Sequence, residues 1–148
     1  MYSESKMIME LLRKEQLFTY KELIDIRKIS RGDIYMVEIK DSKDSEQSGI
    51  RPAVIIQNDT GNKYSTTTIV AFVTSQHKKN LPTHVRLHCR ELSKKSTVML
   101  EQIRTVSVKR LLRYVCTLNK QDMKMVDQAL RVSFDCGQRK ESVYGYKG

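Results

Sequence analysis

The side chains best placed for chemistry lie in one stretch, Ser45-Glu46-Gln47-Ser48-Gly49-Ile50-Arg51-Pro52, which runs into the apolar segment Ala53-Val54-Ile55-Ile56. The stretch is polar at its start and ends in an Arg-Pro pair, so it drops an arginine at the mouth of a buried strand. A guanidinium is always charged and carries a rigid fork of donors that matches a phosphate. Anion chemistry is therefore one reading of this loop. The other is a surface hairpin whose arginine is simply solvated.

Other reactive side chains offer less. Cys89, Cys116 and Cys136 are odd in number and show no C-x-x-C spacing. That argues for a reducing cytoplasm and against both a disulfide framework and a zinc knuckle. His84 and His88 fall four residues apart on an expected strand, so roughly 13 Å separates them, too far to share one metal. No metal or cofactor is expected.

The formal net charge is +10, and residues 1–30 contribute little of it, with six basic and five acidic side chains. A polyanion, either nucleic acid or an acidic protein segment, is the first partner to consider. At 148 residues, 39% hydrophobic and 30% charged, the chain fits one soluble domain with an appendage. No apolar run approaches the roughly 20 residues of a membrane span. The N-terminus reads as lacking a signal peptide, because its apolar pieces are short and broken by charges.

The elements that must position the loop follow from periodicity. Residues 1–30 read as two short helices, the second opened by the capping box Thr19-x-x-Glu22. From Arg31 the period changes: Tyr35, Val37 and Ile39 give the next strand one strongly apolar side, with Ile34 and Met36 facing the other way. Pro52 is expected to start the following strand but not to sit inside it. Asn58-Asp59-Thr60-Gly61-Asn62 reads as a turn, and β-branched Thr66–Thr74 as a central strand. Residues 75–81 form a basic loop, and Thr83–Leu87 and Thr97–Ile103 read as two more strands. Ser107–Arg113 looks like a short helical turn, before a brief strand at Val115–Thr117. A final helix capped by Asn119 carries the stripe Met123, Val126, Leu130 and Phe134. Residues 137–148 are polar and expected to be mobile. The fold expected is β-rich α+β, a compact and strongly bent antiparallel barrel with a C-terminal helix and an N-terminal helical extension. The domain boundaries fall at 1–30, 31–136 and 137–148.

Seven phrases occur in order: Arg31-Gly32-Asp33-Ile34-Tyr35, the Ser45–Pro52 loop, Gln57-Asn58-Asp59, Gly61-Asn62-Lys63-Tyr64-Ser65, Thr74, Leu81-Pro82-Thr83-His84 and Leu100-Glu101-Gln102-Ile103-Arg104-Thr105. Over about residues 31–135 the chain resembles the MazF/PemK family of toxin endoribonucleases. The resemblance implies an SH3-like barrel, a homodimer, and toxicity until a cognate antitoxin binds. It also implies metal-independent cutting of single-stranded RNA at a short motif. The RNA's own 2′-OH attacks, leaving a 2′,3′-cyclic phosphate and a 5′-OH. Arg51 takes the place of the family's G-x-R-P arginine, Thr74 that of its catalytic threonine, and Glu46 that of the acidic residue of its S-E-Q phrase. Ser48 stands where the family often has glycine, and Arg86 where an acidic residue is common.

For such a reaction Arg51 suits stabilisation of the phosphorane and Thr74 can donate its hydroxyl to the same phosphate. The proton acceptor is Glu46, water or a substrate oxygen, since an ordinary Glu titrates near 4.3. Recognition falls to loop groups: Ser45 and the amides of Gln47, Asn58 and Gln102 for base edges, Lys78, Lys79 and Arg86 for phosphates. Gln102 reads equally as a strand-end cap. His84 and His77 are read as solvated or RNA-contacting rather than catalytic. Tyr35 and Phe72 are read as core. Two other functions fit the same barrel: a CcdB-like toxin that binds a topoisomerase, and a regulator that binds RNA without cutting it.

Overall fold

The computed structural model describes residues 28–40, 49–76 and 79–137. Six strands form one antiparallel sheet: β1 (Asp33–Ile39), β2 (Gly49–Ile55), β3 (Thr67–Thr74), β4 (His84–Leu87), β5 (Ser96–Ser107) and β6 (Leu111–Thr117). Their spatial order is β4-β5-β3-β2-β1-β6. Helix α1 (Asp59–Tyr64) joins β2 to β3, a 3-10 turn (Val108–Arg110) joins β5 to β6, and helix α2 (Lys120–Phe134) follows β6. The expected β-rich α+β architecture with a C-terminal helix is the one found. The two helices expected before residue 28 and the tail from residue 138 lie outside the described residues.

The sheet is buried on both faces, which alternation in β1 alone did not reveal. Ile34 joins Val54, Ala71, Val98 and Leu100 in a cluster that Val126 and Ala129 of α2 cover. Tyr35, Val37 and Ile39 join Ala53, Ile55, Val70, Phe72 and Leu111 in a second cluster built almost wholly from strands. A sheet face can bury itself in this way only by curling. The curl is visible elsewhere: the end of β1 (Glu38, Lys40) and the end of β5 (Arg104, Ser107) line one cavity of about 250 Å3, although β3 and β2 separate the two strands in the sheet.

A bend in β5 makes the curl possible. Val73 of β3 pairs with Val98, but Ala71 pairs with Ile103, so residues 99–102 all stand against Phe72. Extra residues on one strand of a pair bend it and increase its twist. The first part of β5 also pairs with β4 on its other side, His84 opposite Met99, while both parts keep their pairing with β3. This is also why β5 runs on to Ser107, past the expected end at Ile103.

Several local expectations need correction. Asn58–Asn62 is not a turn: the Asn58 side chain accepts from the Gly61 N–H at 2.7 Å and caps α1. Asn and Asp favour helix N-caps as much as turns. Pro52 lies inside β2, opposite Met36. It is tolerated because β2 meets β3 only from Ala53 onward, so the strand has an open side there. Between Ser107 and Arg113 only the 3-10 turn is helical, and Leu111 already belongs to β6. In α2, Val126 is buried as expected and Ala129 is buried beside it, whereas Val132 and Phe134, the last of the expected stripe, remain exposed.

The expectation that the cysteines form no disulfide is also overturned. Cys89 and Cys116 form a disulfide, and Cys136 is free and exposed. Spacing along the chain could not reveal a bond between residues 27 apart. Cys89 follows β4 and Cys116 lies in β6, the two edge strands of the sheet. Curling brings these edges into one core cluster, where Val85 and Leu87 of β4 meet Val115 and Cys116. The bond therefore spans a seam. Asp122 of α2 ties the same seam, accepting from the His88 N–H at 2.8 Å while its other oxygen lies 2.9 Å from His88 Nδ1.

Asp122 is almost fully buried, and its loss would strand the His88 N–H. Asp122→Ala should cost about 2 kcal/mol, the scale of a buried hydrogen bond to a charged group. The check is the urea midpoint relative to the parent protein, with an unchanged m-value.

Candidate functional site

Arg51 and Thr74 come together. Both line an open groove of about 600 Å3, together with Met36, Pro52, Val73 and Gln76 from the sheet side. Ala53 pairs with Phe72. The paired ladder ends there, and Arg51 of β2 and Thr74 of β3 each lie two residues beyond it, on the same groove.

Each is held by local structure. The Arg51 guanidinium carbon sits 4.8 Å from the centroid of the buried Phe72 ring. Stacking on an aromatic face orients the fork without consuming its N–H donors. Among the described residues no carboxylate pairs with it. Thr74 Oγ1 accepts the Gln76 N–H at 3.1 Å, which fixes the side chain and leaves its own proton for a ligand.

The opposite wall holds residues the sequence reading missed. Glu91, Leu92, Ser93 and Lys94 come from the β4–β5 connection, and Arg113 and Val115 from β6. Their charges, two basic and one acidic, reinforce Arg51 in favouring an anion. The connection had no periodicity to recommend it. Arg113 was read as part of a helical turn, where its strand-mate relation to Met36 does not exist. Cys89, Glu91 and Cys116 place donor atoms within 4.8 Å of one another, but the two sulfurs are bonded to each other and so are not free to bind a metal.

The remaining expected site residues scatter. Ser45, Glu46, Gln47 and Lys78 lie outside the described residues, though Gly49 and Lys40 mark where residues 41–48 attach, beside the groove-end of β2. Asn58 caps α1, so its amide oxygen is already engaged. Gln102 lies within the β5 bend rather than at a strand end, and Lys79 and Arg86 are exposed; none of the three lines the groove. His84 is engaged as well, its Nε2 2.6 Å from Glu101, which also accepts from Thr83 at 2.8 Å.

Most of the phrases that carry the resemblance prove to be structural. Arg31 donates through Nε to the Ile56 carbonyl and pairs with Asp127 of α2 at 2.8 Å. Gly32 has φ +93°, and a Cβ there would come within 2.9 Å of Met123. Asp33 accepts from Thr117 and from the Ser30 N–H. Asn62, buried, links Gln57, Asp59 and Thr68.

With the fold and groove in view, the comparisons with known proteins are consistent. Residues 30–134 match the family described as PemK-like, MazF-like toxin of type II toxin-antitoxin system. The chain belongs to the PemK/MazF toxin family. An endoribonuclease from a mycobacterial species, solved with its cognate antitoxin, superposes with a TM-score of 0.65 at 19% identity, over 75% of this chain and 99% of the other. Mycobacterium tuberculosis toxin MazF-mt6 gives 0.61 at 20%, over 72% and 99%. A MazE-MazF structure from Deinococcus radiodurans gives 0.63 at 18%, over 74% and 98%. These likenesses establish the fold of a PemK/MazF protein across nearly the whole length of each relative. Among the described residues no helix is long and apolar enough to cross a membrane.

The His84–Glu101–Thr83 cluster of this PemK/MazF protein has a measurable signature. Burial works to raise the Glu101 carboxyl, but hydrogen bonds from His84, the backbone and Thr83, with the His84 charge, outweigh it and leave it below the ordinary 4.5. A lowered folded-state value stabilises the fold above the unfolded value and is lost as pH falls through the folded one. The thermal midpoint of Glu101→Gln should therefore lie below the parent's at neutral pH, and the gap should close as pH is lowered beneath 4.5. A gap that stayed constant down to pH 3 would contradict this assignment.

Proposed function

We propose that this protein is a sequence-specific endoribonuclease toxin that cuts single-stranded RNA by attack of the RNA's own 2′-OH. The observation that supports this reading most is that Arg51 of β2 and Thr74 of β3 line one open, cation-rich groove. Arg51 grips two non-bridging oxygens of the scissile phosphate in bidentate fashion, and Thr74 donates its hydroxyl to the same group. As the 2′-oxygen forms its bond to phosphorus, the P–O5′ bond breaks, and the charge that builds on the equatorial oxygens is met by these donors.

The protons balance within the site. The 2′-OH proton passes to the carboxylate of Glu46. The leaving 5′-oxygen takes a proton from the Arg51 guanidinium, which an alkoxide is basic enough to do. Glu46 then returns its proton to Arg51. The products are a 2′,3′-cyclic phosphate and a 5′-OH, and no step calls for a metal. Lys94 and Arg113 hold flanking phosphates, so binding weakens with salt. Gln102, Lys79 and Arg86 contribute contacts outside the groove, and Ser45 and Gln47 contribute to the reading of base edges.

The protein acts as a homodimer in the cytoplasm, where mRNA is found, and a cognate antitoxin silences it. An acidic, folding-on-binding antitoxin segment competes with RNA for the groove around Arg51. Solved relatives that contain their antitoxins support this partner.

Arg51→Ala and Thr74→Ala should each lower kcat by about 10²–10³ while leaving the fold intact, as removal of one oxyanion donor does. Cleavage of a long single-stranded RNA in EDTA, with 5′ ends sequenced, measures rate and motif together. Undiminished cutting by Arg51→Ala would overturn the mechanism. A protein that cuts no RNA but co-purifies with a topoisomerase would point instead to the CcdB-like alternative, and tight RNA binding without turnover to a regulator.

A further inference from the structure

The sheet's two edge strands meet along one seam, and one covalent bond crosses it. Cys89 stands just past β4 and Cys116 within β6, and the residues next to each line the Arg51–Thr74 groove: Glu91 to Lys94 on one side, Val115 on the other. We propose that the Cys89–Cys116 pair is a thiol–disulfide exchange site whose state sets the outer wall of that groove, and so the protein's affinity for RNA. The proposal rests on the RNA-cleaving reading above.

The loop depends on the bond for its placement. The hydrogen bonds it shows are internal: Leu92 N–H to the Cys89 carbonyl at 3.3 Å and Ser96 Oγ to the Lys94 carbonyl at 2.8 Å. Leu92 packs on the first core cluster, but Glu91, Ser93, Lys94 and Lys95 are exposed. On the near side of Cys89, His88 is tied to Asp122. Opening the bond would thus release the wall without releasing the barrel. Arg51 and Thr74 are fixed from within the sheet, by Phe72 and Gln76, and do not rely on it. The groove would keep its chemistry and lose grip.

The exchange partner is a small thiol or its disulfide, of the glutathione class. Cys89 is the more exposed of the two sulfurs, since Cys116 is buried. An external thiolate attacks Cys89 Sγ, the S–S bond breaks, and Cys116 leaves as a thiolate that takes up a proton. A second external thiol attacks the mixed disulfide, giving two protein thiols and one small-molecule disulfide. Two thiols are oxidised for each protein bond reduced, and the reverse reaction closes the clasp. Disulfides in the cytosol are commonly transient or sensing rather than structural, which suits a bond beside a groove for RNA.

The test uses the full chain carrying Cys136→Ser, so that only the pair can react. One sample is equilibrated with glutathione disulfide and another with a phosphine reductant, both in EDTA so that the freed thiols and Glu91 capture no metal. Mass spectrometry after alkylation verifies each state. Reduction should raise KM for single-stranded RNA about fivefold or more, the lower end of ordinary coupling between sites, with kcat unchanged. Adding Cys89→Ser should reproduce the reduced KM and abolish the response to reductant. Equal KM in two verified states, or failure of the bond to form, would overturn the proposal. If neither state cuts RNA, the nuclease reading fails instead. The clasp is then judged by tryptic nicking at Lys94 and Lys95: faster nicking in the reduced form supports it, and equal rates overturn it.

Discussion

Register between β2 and β3 is the constraint on which the groove depends. Ala53 faces Phe72, Val54 faces Ala71 and Ile55 faces Val70, and five of these six side chains are wholly excluded from solvent, with Phe72 nearly so. Because side chains alternate across a strand, sliding one strand by a single residue would exchange the sets that fill the two cores. Fully burying a Val or Ile side chain is worth roughly 1.5–3 kcal/mol, so the ladder as a whole leaves no competitive alternative. Arg51 and Thr74 lie two residues beyond the ladder's end. Apolar packing several residues away therefore decides where two polar groups meet.

The curl of the sheet adds the rest of the site. A flat sheet would leave β4 and β6 on opposite edges, with Arg113 and the Glu91–Lys94 loop far apart. The bend of β5 against Phe72 brings the edges together, and the groove opens along their junction. One ring thus takes part in two things: Phe72 sits at the bend and also braces the Arg51 guanidinium. Unpaired edges invite association with other chains. Here they approach each other, and a disulfide and the Asp122–His88 contacts tie them.

The family's most recognisable phrases divide into structural and chemical ones, and the division does not follow their apparent reactivity. Arg31 and Asp33 lock the entry to β1 against α2 and β6. Asn58 reads as a base-reading amide and instead, together with Asn62, organises α1. His84, the one histidine within those phrases, is bound to Glu101. Buried polar groups need partners, and in a small barrel the polar residues of the loops meet much of that need. What is left over for a ligand is a short set around Arg51.

Period-2 alternation, β-branched runs and an Asn-capped amphipathic stretch determined the strands, the C-terminal helix and the fold class from sequence, because those signals are local. The position of Arg51 at the entrance to a buried strand was legible for the same reason, and the family phrases pointed to Thr74. Only the tertiary structure decided that β1 buries both faces, that β5 bends around Phe72, and that Arg113 and Glu91 share the groove. It also decided that Cys89 and Cys116 are joined. Each of these joins residues distant in sequence, and they come within reach only when the sheet curls. Local patterns say which way a side chain faces; closure of the barrel says what it meets.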